Sequence, residues 1–250
     1  MISVCMAAYN GERFIKQQID SILCQLNSED ELIISDDGST DKTLEIINSI
    51  QDNRIKVFNH EKENSHKDEY SSFRYATFNF ENAIKNAKGD YIFLTDQDDL
   101  WLKDKVKKCL ELFKTYDCVV HNYQVIDENG NVIKNQFWNK NPLHKSLFMN
   151  VLDNHFRGCC MEFKTSFLKE ILPFDKDIIG HDYWIGSLLS YFGKVYYEME
   201  PLMQYRSYTG TVSAYKKTSL AYKLHHRYYL YKSVLKRIKQ IKNQGKNENE

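Results

Sequence analysis

The 250-residue chain is long enough for one domain with a substantial core plus a small appendage, and its 42% hydrophobic and 27% charged residues are those of an ordinary folded protein. Thirty-four Lys and Arg balance thirty-four Asp and Glu, yet nine of the cations and no acid fall between 216 and 244, so the rest of the chain is net acidic. That distribution excludes a generic nucleic-acid partner, which needs a basic face across the folded body, and no window offers the ~20 apolar residues of a membrane span.

In chain order, residues 2–8 form an apolar strand that ends at Tyr9-Asn10-Gly11, with no leader before it. Phe14, Ile15, Gln18, Ile19, Ile22 and Leu23 then recur at helical spacing. A second strand over 31–35 runs into Asp36-Asp37-Gly38-Ser39, Thr40 is positioned to cap the next helix, and 54–58 is a third strand. Residues 59–78 lack periodicity and read as a polar loop. A short helix follows through Phe80, Ala83, Ile84 and Ala87, closed at Lys88-Gly89. The strand at 91–94 leads into Asp96-Gln97-Asp98-Asp99, a helix over 102–113 comes next, and 118–126 is a further strand ending at the Glu128-Asn129-Gly130-Asn131 turn. Beyond it, a helix opens at His181, short strands are expected at 194–197 and 203–206, and a long helix at 218–242. The cysteines show no metal-ligand spacing; Cys5, Cys109 and Cys118 lie in apolar runs as small reduced hydrophobes, which fits a reducing cytoplasm.

Strands alternating with helices predict an α/β fold with a doubly wound, mostly parallel sheet, whose ligands bind beyond the carboxyl ends of the strands. Both acidic clusters fall at such ends, so carboxylates from separate strands converge on one edge. Three acids in four residues repel one another unless a cation compensates them, and oxygen donors suit Mg²⁺ or Mn²⁺ bridging to a phosphate. Helix capping would need only one of them, Asp99 before Leu100-Trp101. Asp36-Asp37-Gly38 suits hydrogen bonds to a nucleobase or ribose, but equally suits a capped acidic loop. Asp182, at a helix start, is stabilised as the anion a general base requires, though on these residues alone it reads as a plain cap. Arg206 is either a fork donor for a diphosphate or a surface arginine.

Together these segments resemble the family 2 glycosyltransferases of the glycosyltransferase-A fold, particularly bacterial rhamnosyltransferase-like members. The resemblance is carried by Met6-Ala7-Ala8-Tyr9-Asn10-Gly11-Glu12, the runs at 18–25, 31–41 and 89–101, Asp127-Glu128-Asn129-Gly130-Asn131, Gly158-Cys159 and His181-Asp182-Tyr183-Trp184. It implies that Ala8, Tyr9, Asn10, Glu12, Asp36, Asp37, Asp96, Gln97 and Arg206 meet the nucleotide-sugar, with Asp98 on the metal, Asp182 as catalytic base, and Gly158, His181 and Trp184 toward the acceptor. The implied reaction is an inverting transfer from a UDP- or dTDP-sugar to a saccharide or polyprenyl-diphosphate-linked acceptor, in bacterial surface polysaccharide synthesis. Relatives often carry a histidine where this chain has Tyr208, and an Asn-x-Gly segment where it has the 59–78 loop.

The expected organisation is a catalytic domain over 1–215, with a nucleotide-sugar half at 1–127 and an acceptor half at 128–215. A basic amphipathic helix at 216–243 and a disordered tail at 244–250 follow. The helix alternates lysines with Leu and Tyr, as suits contact with an anionic membrane, packing on the domain or pairing with a second subunit. A sugar nucleotidyltransferase or a catalytically inactive nucleotide- or glycan-binding module are the rival readings.

Overall fold

The computed structural model describes residues 1–61, 71–144, 146–208 and 220–247. The first half alternates β1 (Ile2–Ala8), α1 (Ile15–Leu23), β2 (Glu31–Asp36), α2 (Thr43–Ser49), β3 (Ile55–Asn59), α3 (Ser71–Lys85) and β4 (Tyr91–Asp96). After these come β5 (Leu100–Trp101), α4 (Lys105–Leu112), β6 (Cys118–Ile126), β7 (Val132–Lys134), α5 (Leu147–Leu152), β8 (Met161–Lys164), α6 (Leu168–Ile171), α7 (His181–Phe192), β9 (Val195–Arg206) and α8 (Leu220–Asn247). One sheet runs in the order β3-β2-β1-β4-β8-β6-β9-β5, with β7 on β6.

The first four strands of that order are parallel, and their register decides where the acids lie: Ala8 is level with Asp36, and Ala7 with Asp96. The carboxyl ends of β2, β1 and β4 therefore form one edge. Side chains alternate across β1, sending Val4 and Met6 to the core under α1, α2 and α4, and Cys5 to the core under α3, α7 and α8. Both faces are covered, which is why these strands read as continuous apolar runs. The second half mixes directions, since β8 is antiparallel to both β4 and β6 while β9 is parallel to β6.

Several boundaries differ from the sequence expectation, each for a local reason. α2 starts at Thr43, and Asp41 rather than Thr40 caps it by accepting from the Thr43 N–H at 2.9 Å. Asp99 caps nothing: the chain makes β5 before α4 begins at Lys105. Residues 71–78, expected in a loop, are helical in α3; the 62–70 part of that loop lies outside the described residues. The apolar period there is hidden by buried polar side chains that bond to distant tertiary partners. Thr77 accepts from the Gly180 N–H, Asn79 donates to Ala8 O, and Glu81 accepts from the Phe174 N–H. The two short strands near 194–206 are one continuous strand, β9, held by β6 across a register shift. The Asn122 amide fills that shift, donating to Met199 O and Trp138 O.

The tail helix packs on the domain. Leu230, Val234 and Ile238 recur every four residues in the core, and Arg237 donates to the carbonyls of Lys169, Glu170 and Leu172 at the end of α6. Its outer side leaves Leu224, Tyr228 and Leu235 exposed. Helix continues through Asn247, so 244–247 are not the disordered tail expected, while the 215/216 boundary and residues 248–250 lie outside the described residues. Among the described residues, no helix is long and apolar enough to cross a membrane.

Candidate active site

Beyond the carboxyl edge of β1, β2 and β4 lies a cleft of about 770 Å³. Of the residues singled out in the sequence, it brings together Ala8, Tyr9, Asn10 and Asp37 on one wall, Asp96, Gln97 and Asp98 at its base, and Gly158, His181 and Asp182 opposite. Residues some 170 apart in the chain meet because β1 and β4 are neighbours, and α7 lies against α3 beside them.

On the first wall, Gln97 pins Tyr9 at two points: its Oε1 accepts from the Tyr9 N–H and its Nε2 donates to Tyr9 O, both at 2.9 Å. The Tyr9 ring remains 48% exposed at the mouth, where it can cover a flat ligand. Asn10 joins the two loops, its N–H donating to Ser39 and its Oδ1 accepting from the Thr40 N–H. Asp37 is buried, with Oδ1 2.6 Å from His60 Nδ1.

Asp36 does not reach the cleft. Its carboxylate accepts from the N–H groups of Gly38 and Ser39 and from the Ser39 hydroxyl, so it is spent on bracing its own turn. Glu12 is also outside: its Oε2 accepts from the Lys42 N–H at the start of α2, while Asp41 accepts from the Glu12 N–H, a reciprocal cap. Of the two acids that the resemblance gave to the nucleotide-sugar, Asp37 alone lines the cleft.

At the base three acids crowd together. Burial, and then the neighbouring Asp98 charge, push the Asp96 carboxyl up to about 7 against the pull of Arg157. Burial likewise raises Asp98, opposed by the Tyr208 hydroxyl, which donates to its Oδ2 at 2.9 Å. Asp99 is raised well above the usual carboxylate range, by burial and then by the charges of Asp98 and Asp96. It is fully buried, one oxygen accepting from the Arg206 N–H and Oδ2 having no hydrogen-bond partner among the described residues. Oxygen atoms of Asp96 and Asp99 lie within 4.8 Å of each other and of Cys159 Sγ. Two half-buried carboxylates at the cleft floor, Asp96 and Asp98, crowded by the buried Asp99 with its orphaned oxygen, fit a hard divalent cation.

Arg206 is not a cleft residue. It is 2% exposed, and its guanidinium donates to the carbonyls of Asp98, Asp127 and Glu128 and to Gln17 Oε1. It shapes the loop that carries Asp98 instead of reaching outward. Trp184, expected toward the acceptor, is 1% exposed in the core with its indole N–H donating to Ile171 O.

Among the described residues, the cation that faces the cleft is Arg157, which the sequence reading passed over. Its guanidinium lies over the rings of Tyr205 (4.5 Å), Tyr123 (5.0 Å) and Phe137 (5.9 Å). Its position directly before Gly158 was the available signal. Phe137 and Trp138 also line the cleft, unheralded by any motif, as does Tyr208, which stands where relatives often carry a histidine.

Asp182 opens α7 after Gly180, whose φ of 95° requires glycine. Burial raises its carboxyl to about 6, although the Tyr183 N–H, 2.9 Å from Oδ1, and the Arg157 charge favour the anion. A half-buried carboxyl with a raised pKa facing a cleft suits proton abstraction. His181 stacks on Phe80 at 3.9 Å, and burial holds it neutral, with a pKa near 3. Its Nε2 faces Gly158 so closely that a Cβ there would sit 2.1 Å away. Gly158→Ala is therefore expected to displace His181 and with it the first turn of α7. We expect a stability loss of about 1–3 kcal/mol in thermal unfolding, together with a fall in kcat/KM. Unchanged unfolding would show that the ring moves aside freely.

The family model described as Glycosyl transferase family 2 matches residues 3–172. The chain is 30% identical over 218 residues to the dTDP-rhamnosyl transferase RfbG of Shigella flexneri, covering 81% of this chain and 71% of that protein. It is 29% identical over 215 residues to an uncharacterized glycosyltransferase of Rickettsia typhi, of whose length it spans 64%. Among solved structures, S. aureus TarS in complex with UDP-GlcNAc superposes with a TM-score of 0.66 at 17% identity, over 95% of this chain and 66% of that one. The Pyrobaculum calidifontis mannosyltransferase PcManGT, with GDP-Man and Mn²⁺, does so at 0.56 and 16%, over 96% and 64%. At such identities these structures speak to the fold alone, which is of glycosyltransferase-A type. With the family model matching more than half its length, the chain belongs to glycosyl transferase family 2.

Proposed function

We propose that the chain transfers a sugar from a nucleoside-diphosphate donor, UDP- or dTDP-linked, to a hydroxyl of a saccharide or polyprenyl-diphosphate-linked acceptor, inverting the anomeric centre. The observation that carries this reading is a cleft in which the half-buried Asp182 carboxyl faces the Asp96–Asp98 floor, with Arg157 between the aromatic walls. Tyr9 and Asp37 offer a ring face and a carboxylate for the nucleotide. Asp182 accepts the proton of the acceptor hydroxyl as that oxygen attacks C1 of the donor sugar, and the bond from C1 to the diphosphate oxygen breaks. The sugar passes through an oxocarbenium-like state. Arg157, held over the rings of Tyr205 and Tyr123, presents fixed positive charge to the departing diphosphate.

Asp98, with Asp96 beside it, would hold Mg²⁺ or Mn²⁺, which when bound neutralises charge on the leaving diphosphate. The Mn²⁺ found with PcManGT supports this, as does the crowding of the three acids. UDP-GlcNAc in TarS and the dTDP-rhamnosyl activity in the name of RfbG support a nucleotide-sugar donor. A relative of E. coli named as a glucosyltransferase acting on a diphosphoundecaprenol-linked sugar, 36% identical over 115 residues, supports the lipid-linked class of acceptor. The exposed Leu224, Tyr228 and Leu235 among the lysines of α8 suit peripheral contact with the inner face of the cytoplasmic membrane.

The test is a panel of UDP- and dTDP-sugars assayed for nucleoside diphosphate release with Mn²⁺ or Mg²⁺. Release with one donor is expected only when acceptor is present. Pyrophosphate as the product would mean nucleotidyl transfer instead, and donor binding without any turnover would mean a binding module.

A further inference from the structure

We propose that His144, Asp153 and His155 form a second metal site, for Zn²⁺, on the acceptor-side rim of the cleft. None of the three belongs to the acidic floor. His144 Nε2 and His155 Nε2 both converge on one oxygen, Asp153 Oδ2, at 3.1 and 3.0 Å. The candidate donor atoms all lie within 4.8 Å of one another. Ligands of a tetrahedral zinc stand roughly 3.4 Å apart, given Zn–N and Zn–O bonds of about 2.0–2.2 Å, so a small outward shift of each atom admits the ion. Two imidazoles and a carboxylate select borderline Zn²⁺ over Mg²⁺ or Mn²⁺, which prefer oxygen alone.

Each ligand is carried on a braced backbone. Asn150 clamps His144, its Oδ1 accepting from the His144 N–H and its Nδ2 donating to His144 O, both at 2.8 Å. Asp153 closes α5 through its N–H to Met149 O at 2.8 Å. The His155 ring packs edge-on against Trp138 at 4.7 Å, and both line the cleft. Zinc here ties the segment after β7 to the start of the Arg157-Gly158 turn. It fixes the Trp138 wall and leaves a fourth coordination position for water or an acceptor oxygen.

The full chain, free of any affinity tag and stripped of metal, would be titrated with Zn²⁺ by calorimetry in saturating Mg²⁺. One equivalent of micromolar or tighter affinity is expected. His144→Ala and His155→Ala should each weaken it more than about 100-fold, because loss of an outer-shell partner alone costs roughly 10–100-fold. Asp98→Asn should leave it in place. Should a histidine variant not fold by circular dichroism, the near-isosteric Asp153→Asn serves the same purpose. Co²⁺ in place of Zn²⁺ should give visible d–d absorption without a thiolate charge-transfer band. The proposal is overturned if the folded wild-type chain binds no such equivalent, if binding survives these substitutions, or if a thiolate band assigns the ion to Cys159.

Discussion

Asp182→Asn is expected to lower turnover by roughly 10²–10⁴-fold, the usual contribution of a positioned general base, while donor affinity stays within a few-fold of wild type. The carboxamide keeps the size of the side chain and its contact with the Tyr183 N–H, but it cannot take the acceptor proton. Single-turnover kinetics alongside donor binding separate the two quantities. Loss of donor binding would mean that Asp182 holds the start of α7 and performs no proton transfer.

The same residue sets a pH dependence with a definite sign. Burial moves the Asp182 carboxyl up to about 6, so the competent anion is present above that pH and is lost as pH falls through it. Log kcat/KM should fall with unit slope below about pH 6 and flatten above it, a limb that Asp182→Asn removes. A limb that persists in the variant would belong to another group on the cleft floor.

Removing the cation site should have the other large effect. Asp98→Asn, or wild type treated with chelator, is expected to lose at least about 100-fold in kcat/KM. The charge stabilisation a bound metal gives a leaving diphosphate is worth several kcal/mol, and about 3 kcal/mol is already roughly 100-fold. Added Mn²⁺ should restore the chelated wild type and leave the variant impaired. Tyr208→Phe is the informative companion, because Tyr208 donates to Asp98 Oδ2 and so positions it. A raised metal requirement with kcat recovered at high Mn²⁺ is the signature of positioning. Activity of wild type undiminished by chelator would remove the metal from the reaction altogether.

How far the sequence could be read follows from the range of the forces involved. Apolar runs and apolar periodicity both report burial, so strands β1, β2, β4 and β6 and helices α1 and α7 were legible within a residue or two. α3 was not, because Thr77, Asn79 and Glu81 are buried yet polar, each bonded to a partner at least 71 positions away. The gap expected within β9 has the same origin: pairing with β6 carries Glu198, Glu200 and Pro201 through a strand that their own preferences would break.

The candidate site divides along the same line. The chain alone placed Asp36-Asp37 and Asp96 to Asp99 at strand ends, and parallel topology then brings them to one edge, as the Ala8–Asp36 and Ala7–Asp96 registers do. It named Asp182 by resemblance. What a linear pattern does not contain is which oxygen is already occupied. Only packing turned Asp36 inward to its own turn, committed Arg206 to the carbonyls of the loop it supports, and sank Trp184 into the core. The same packing raised Arg157 onto three aromatic rings at the cleft and drew His144 and His155 to one carboxylate. Residue type sets which chemistry a side chain can perform, and sequence shows type. Whether the group is free to perform it depends on partners supplied by distant segments, and those exist only once the chain has folded.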